Sequence, residues 1–236
     1  MIPKSVKEVV RDFVFGMEDG LVSNLGLVLG VAAGGGGAST IVLAGAASMF
    51  AGAFSMSAGS YLSSKSQREV YEHEMEEVKE ELEKNPRKCY QDMRSLLVGE
   101  GLGKKEIDLL FKKSSKYKHS KIVCDYMVQK KVGISKNKLE VPLKNASAMF
   151  FSFLLGSSFP LFPFLVSKFN LLTLFQAGII ASVLTIAALF GVGLAKTSYT
   201  NYTSLNKIKS GLEVVLIGLG AGVIGYFVGW IVGHLG

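Results

Sequence analysis

Five blocks of twenty or more predominantly apolar residues dominate this sequence and leave few architectures open. They run roughly from Phe13 to Gly34, Ala38 to Leu62, Ala146 to Val166, Leu171 to Ala195 and Leu212 to Leu235. About 20 apolar residues in helical geometry cross the hydrocarbon core of a bilayer. Within hydrocarbon the backbone has to satisfy its own hydrogen bonds, so each block reads as a helix. Hydrophobic residues make up 49% of the 236, and the mean hydropathy is +0.35. The expected class is an all-α integral membrane protein with five transmembrane helices and a cytosolic helical insertion between spans two and three. The first block does not read as a cleavable signal: it is too long, carries acids, and lacks a small-residue cleavage site followed by a polar mature domain.

A net charge of +7 invites a nucleic-acid reading, but the distribution of the charge points elsewhere. Three of the 26 Lys and Arg (Lys4, Lys7, Arg11) precede the first span, and nineteen lie between Lys65 and Lys144. Lys196, Lys207 and Lys209 lie between spans four and five. The turn after span one has no Lys or Arg, and the turn after span three has only Lys168. This is the positive-inside pattern. It predicts a cytosolic N-terminus and 63–144 insertion, with the C-terminus outside or in a lumen; the membrane itself is not identified. Membrane lipid is an expected partner, through attraction of the basic segments to anionic headgroups, and nucleic acid is not. Cys89 and Cys124 fall in the insertion, without a CxxC partner, where thiols stay reduced.

The expected domains are 1–62, with the N-terminal segment and spans one and two; 63–144, the helical insertion; and 145–236, with spans three to five. Ser63 to Glu83 holds strong helix formers and no breaker, so span two is predicted to continue as one long helix. Asn85-Pro86 should stop it and start the next, with Asn as N-cap and Pro at the first helical position. That helix should run to about Val98, where Gly99, Gly101 and Gly103 break it. Two shorter helices are expected at Glu106 to Lys113 and Ile122 to Val132.

Two acidic features carry chemistry. Asp19 sits in a stretch otherwise apolar enough to cross the bilayer. A carboxylate at membrane depth costs a few kcal/mol or more and marks an ion or proton pathway. The competing reading is that Glu18 and Asp19 occupy a helix N-terminus at the water boundary, where the dipole favours negative charge. In the insertion, Glu69, Glu72, Glu76, Glu80 and Glu83 share one helix face, with Glu74, Glu77 and Glu81 on a neighbouring ridge. Clustered carboxylates suit divalent cations; a solvated face with Glu–Lys pairs is the plainer account. Glycine stripes at Gly26/Gly30/Gly34, Gly45/Gly52/Gly59 and Gly225/Gly229/Gly233 allow close helix approach, within the chain or between copies of it. Pro160 and Pro163 should kink span three.

Asp19-Gly20-Leu21, the run Ala51 to Leu62 continuing into Ser66-Gln67-Arg68-Glu69, Pro160-Leu161-Phe162-Pro163, Gly211-Leu212-Glu213, and the Ile217-Gly218 and Gly225-Tyr226 pairs together resemble the vacuolar iron transporter family, over essentially the whole chain. The resemblance implies a homodimer that moves Fe2+ or Mn2+ out of the cytosol in exchange for protons, with no cofactor beyond the transported ion. It implies a pathway at the dimer interface using a span-one Asp and a span-two Met, positions held here by Asp19 and Met56. A carboxylate supplies charge and a thioether favours a transition metal, while protonation of the carboxylate offers proton coupling. Ser23 and Asn24, within about a turn of Asp19, would add oxygen ligands, and Glu213 is a candidate at the cytosolic entrance.

Departures from the family pattern fall in span two and in the cytosolic insertion, where the resemblance implies a further metal site that is weak, altered or absent here. A Glu eight residues before the span-two Met is replaced by Ser48, and the Gly-Glu or Gly-Gly before the Tyr is Gly59-Ser60. The four Glu of the family's first two cytosolic helices correspond to Val78, Glu81, Cys89 and Asp92. The Met-Met-x-x-Glu motif corresponds to Met127-Val128-Gln129-Lys130-Lys131. Glu81, Asp92 and Met127 remain as ligands there, with Cys89 as a substitute, and Lys131 repels a cation. Two other functions stay open: transport of a non-metal solute, and a membrane scaffold that transports nothing. No GxxxxGK[ST] loop is present to use ATP, so transport would be secondary. An enzyme is not expected, because His73, His119 and His234 are scattered and no nucleophile–base pair can be assembled.

Overall fold

A computed structural model of the chain describes residues 4–114, 130, 141–198 and 204–235, and among these all regular structure is helical. The elements are α1 (Lys4–Ala33), α2 (Ala38–Lys84), α3 (Pro86–Gly99), α4 (Lys104–Ser114), α5 (Pro142–Lys168), α6 (Leu174–Ser198) and α7 (Ser204–Leu235). Five stretches are long and apolar enough to cross a membrane: Val9–Ala33, Ala38–Val78, Pro142–Lys168, Leu174–Thr197 and Lys207–Leu235. Each of the five apolar blocks of the sequence falls on one of them. The helix expected at Ile122 to Val132 lies outside the described residues, apart from Lys130.

The chain folds as two compact units, one of Met1–Leu62 with Pro142–Gly236 and the other of Ser63–Val141. In the first unit α1 is the central element, packed along its length on α5, α6 and α7. Its glycines explain how. A methyl group on Gly16 would lie 2.9 Å from the Met149 carbonyl oxygen of α5, and one on Gly20 equally near the Ser157 amide nitrogen. On the α7 side, methyls on Gly26, Gly30 and Gly34 would fall 3.1, 2.8 and 3.2 Å from the carbonyl oxygens of Ala221, Gly225 and Gly229. The stripes of spans one and five therefore face each other within one chain, backbone against backbone. Around them, Leu25, Val28, Ile41, Leu161, Phe164, Ala177 and Ala181 form one buried cluster. Leu21, Leu189, Val192, Val214 and Val215 form a second.

Helix ends follow local chemistry. Gly35, at φ +85°, ends α1 in a left-handed conformation and lets the Gly36 amide bond to the Val31 carbonyl at 2.9 Å. At the start of α6 the Thr173 hydroxyl accepts from the Gln176 amide (3.2 Å), and the Gln176 side chain accepts from the Thr173 amide (3.0 Å). This capping box sets the first residue at Leu174 in place of the expected Leu171. Helix α5 continues through Pro160 and Pro163 as one element.

In the second unit α2 carries on to Lys84, as the uninterrupted run of helix formers predicts. Asn85 occupies the N-cap position of α3 with Pro86 behind it, yet its side chain makes no capping bond. Gly99 stays helical, and Gly101, at φ +89°, is the residue that turns the chain. Tyr71, Met75 and Val78 line one buried face of α2, and Leu97 and Ile107 are buried on α3 and α4. The acidic face carries i,i+4 pairs: Lys65–Glu69 at 3.5 Å, Arg68–Glu72 at 2.8 Å and Lys84–Glu80 at 2.6 Å. The Lys84 hydrogen bond holds the Glu80 carboxyl below its ordinary range. Cation pairing along this ladder fits a solvated helix face.

Candidate functional site

Asp19 lies ten residues into the Val9–Ala33 stretch, about 15 Å along the axis at 1.5 Å per residue. The helix begins four turns earlier, at Lys4. A dipole effect confined to the first turn therefore cannot account for the acid. Asp19 is half-buried.

Two contacts set the register between α1 and α2, which the short glycine turn makes antiparallel. The Ser60 hydroxyl of α2 donates to Asp12 Oδ2 of α1 at 3.2 Å. Near the turn, a methyl on Gly45 would lie 3.3 Å from Val28 Cγ1. Both contacts match one register, in which each step forward on α1 is a step back on α2. It sets Asp19 level with Ala53 and Phe54, and Met56 two to three residues away, about 3–4.5 Å of rise. Met56 is half-buried. The carboxylate and the thioether thus occupy nearly one level of the α1–α2 seam. Ser48, also half-buried, falls level with Asn24 and Leu25.

The other expected ligands are arranged differently. Ser23 is exposed, and its hydroxyl donates to the Asp19 carbonyl at 2.5 Å within α1. Asn24 is buried against α5: its Nδ2 donates to the Ser157 carbonyl at 2.9 Å, and the Ser157 hydroxyl donates back to the Gly20 carbonyl at 3.3 Å. That reciprocal tie commits the Asn24 amide to helix packing. Glu213 is exposed on α7. In the second unit Glu81 is half-buried and Asp92 exposed. Cys89 lies on α3, its side chain outside the described set, and Met127, Gln129 and Lys131 lie outside the described residues. Val78 is fully buried, so this position serves the interior of the unit. Among the described residues no three or more His, Cys, Asp or Glu side chains group closely enough to hold a metal ion.

Sequence reasoning missed Asp12. It is 5% exposed, paired with Arg11 at 3.0 Å and bonded to Ser60. Asp12 and Asp19 are seven residues apart, two helical turns on one face, and that spacing was the available signal. Glu18, next to Asp19 in the chain, is half-buried.

Comparison with known proteins assigns the family. A family model described as the VIT family matches residues 10–230. The chain is 28% identical to vacuolar iron transporter 1 of Arabidopsis thaliana, over 96% of this chain and 87% of that protein. It is 29% identical to vacuolar iron transporter 1 of Eucalyptus grandis (89% and 81% covered) and 30% identical to the vacuolar iron transporter of Centaurea cyanus (89% and 82% covered). With a family model that reaches into all five apolar helices, this integral membrane protein belongs to the VIT family.

Proposed function

We propose that this protein moves a divalent transition metal, Fe2+ or Mn2+, out of the cytosol in exchange for protons. The observation that carries the reading is the level match of Asp19 and Met56 across the α1–α2 seam, midway along a helix apolar enough to span a bilayer. The relatives are named as iron transporters, which supports metal as the cargo. Asp19 supplies the anionic oxygen and Met56 a polarizable sulfur, a donor pair that favours a transition metal over Mg2+ or Ca2+. Metal binds the ionised carboxylate, so a proton on Asp19 competes with it and couples the two fluxes.

The exposed apolar side of the seam, with Phe50, Phe54 and Tyr61, suits a second copy of the chain completing the path as a homodimer. Ser48 and Ser23 lie along the same path and Glu213 at its cytosolic mouth. In this reading the basic insertion and N-terminus face the cytosol, and its Glu81, Cys89, Asp92 and Met127 form at most a weak metal-collecting site.

Flux of Fe2+ and Mn2+ into proteoliposomes under a pH gradient tests this. Wild type should transport metal, and Asp19→Asn should lose essentially all flux while folding normally. Absence of metal flux in folded wild type would refute the metal reading in favour of another solute or a scaffold.

A further inference from the structure

The interior of the four helices α1, α5, α6 and α7 holds a polar level that the α1–α2 seam does not use. Asn24 is 1% exposed, Ser157 0% and Thr185 0%. Asn24 spends its Nδ2 on the Ser157 carbonyl, which leaves its Oδ1 buried without a partner. The Thr185 hydroxyl of α6 is likewise buried and unpartnered. A threonine in a helix ordinarily returns its hydroxyl to a carbonyl one turn back, as Thr197 does here towards Gly193 and Leu194.

Packing puts the two orphans at one height. Ala177, Ala181, Thr185 and Leu189 follow one another at four-residue steps along α6. Ala181 shares a cluster with Leu25 of α1 and Leu161 of α5, and Leu189 shares one with Leu21. Thr185 lies midway between Ala181 and Leu189, and Asn24 lies within the Leu21–Leu25 turn of the facing helix. Leu161 and Phe164 share that cluster with Ala177 and Ala181, and an antiparallel run of α5 against α6 through it brings Gly156 and Ser157 to about the level of Thr185. Three buried polar side chains from three helices therefore share one level of the interior.

We propose that Asn24, Ser157 and Thr185 enclose a bound water molecule that ties α6 to the α1–α5 pair. The donor set fits water. Asn24 Oδ1 accepts from it, the Thr185 hydroxyl donates or accepts, and buried waters typically make two to four such bonds. It does not fit a metal ion, since the level carries no carboxylate, thiolate or imidazole. The inference concerns the helix interior and stands whether the cargo is a metal or another solute.

Replacing Thr185 by Val, nearly its isostere, separates two cases by sign. If the hydroxyl bonds to water shared with Asn24, Thr185→Val strands the Asn24 oxygen and the purified protein melts at a lower temperature. If the hydroxyl is an unsolvated orphan, removing it relieves a burial cost and the variant melts higher or unchanged, which overturns the proposal. A second measurement can refute the site on the wild type alone: X-ray hydroxyl-radical footprinting by mass spectrometry, in which radicals formed from a bound water oxidise neighbouring side chains. Leu21, Leu25 and Leu189 are inaccessible to bulk solvent. Their oxidation, at least several-fold above that of the equally buried Phe164, and its loss in Thr185→Val, would support the site. No oxidation above the Phe164 background would refute it, even if the variant failed to fold.

Discussion

A single methyl group added to α7 should have opposite consequences at two glycines five residues apart. At Gly225 a Cβ would lie 2.8 Å from the Gly26 Cα and closer still to the Gly26 carbonyl. That is about 0.7–1.2 Å inside the 3.5–4.0 Å optimum for such contacts. Both obstructing atoms are backbone and no rotamer can move them, so α1 and α7 must separate, and overpacking of this kind costs about 1–3 kcal/mol. At Gly220 on the same helix a Cβ meets nothing within 4 Å. Replacing glycine by alanine inside a helix by itself gains about 0.8–1 kcal/mol. The net expectation is a neutral to stabilising Gly220→Ala and a Gly225→Ala destabilised by up to about 2 kcal/mol. For a chain of this length each kcal/mol shifts the melting temperature by about 2–4 °C. Thermal melting of the purified protein in one detergent, read from the intrinsic fluorescence of Trp230, makes the comparison. The two variants should differ by several degrees, with Gly225→Ala lower. Equal shifts would refute the facing glycine stripes and return them to the surface as an interface between copies.

Two further substitutions probe the seam and the helical insertion. Ser60→Ala removes a donor from the buried Asp12 carboxylate and should cost about 1.5–3 kcal/mol, as for hydrogen bonds to charged groups. Ser60→Thr should restore most of that stability; identical melting of Ser60→Ala and wild type would show that the bond does not hold the register. Val78→Glu restores the acid of the family pattern at a fully buried position. It should lower stability by several kcal/mol without improving Mn2+ affinity in equilibrium dialysis, and tighter binding at unchanged stability would contradict a purely interior role.

The five spans were legible because hydropathy is summed over twenty residues and tolerates local error. The long α2 was legible for a similar reason: Ser63 to Glu83 has no residue able to stop a helix. Register was not legible. Nothing in the local composition of Ser60 or Asp12 reveals that they meet, since their bond closes across 48 residues. Asn24 illustrates the limit of proximity along a chain. Five residues from Asp19 it lies on a different face, and its amide is engaged by Ser157, 133 residues away. The shared faces of the acidic run on α2 follow from helix spacing alone, but only the placed side chains reveal which glutamates are ion-paired along it. The glycine stripes were visible as motifs while their partners were not, because a smooth helix face is complementary to any other smooth face.

The way α1 is seated has a mechanical corollary. Glycine-smoothed contacts on α5 and α7 hold it by backbone at short range, so tilting or sliding α1 would break many contacts together. Helix α2 is held differently: among the described residues it makes few close backbone approaches to the other four, and it leans on them through Phe153, Leu161 and the Ser60–Asp12 bond. Side-chain contacts of that sort rearrange by rotamer changes at modest cost. The Ala38–Leu62 part of α2 can therefore shift against its neighbours at less cost than α1 can.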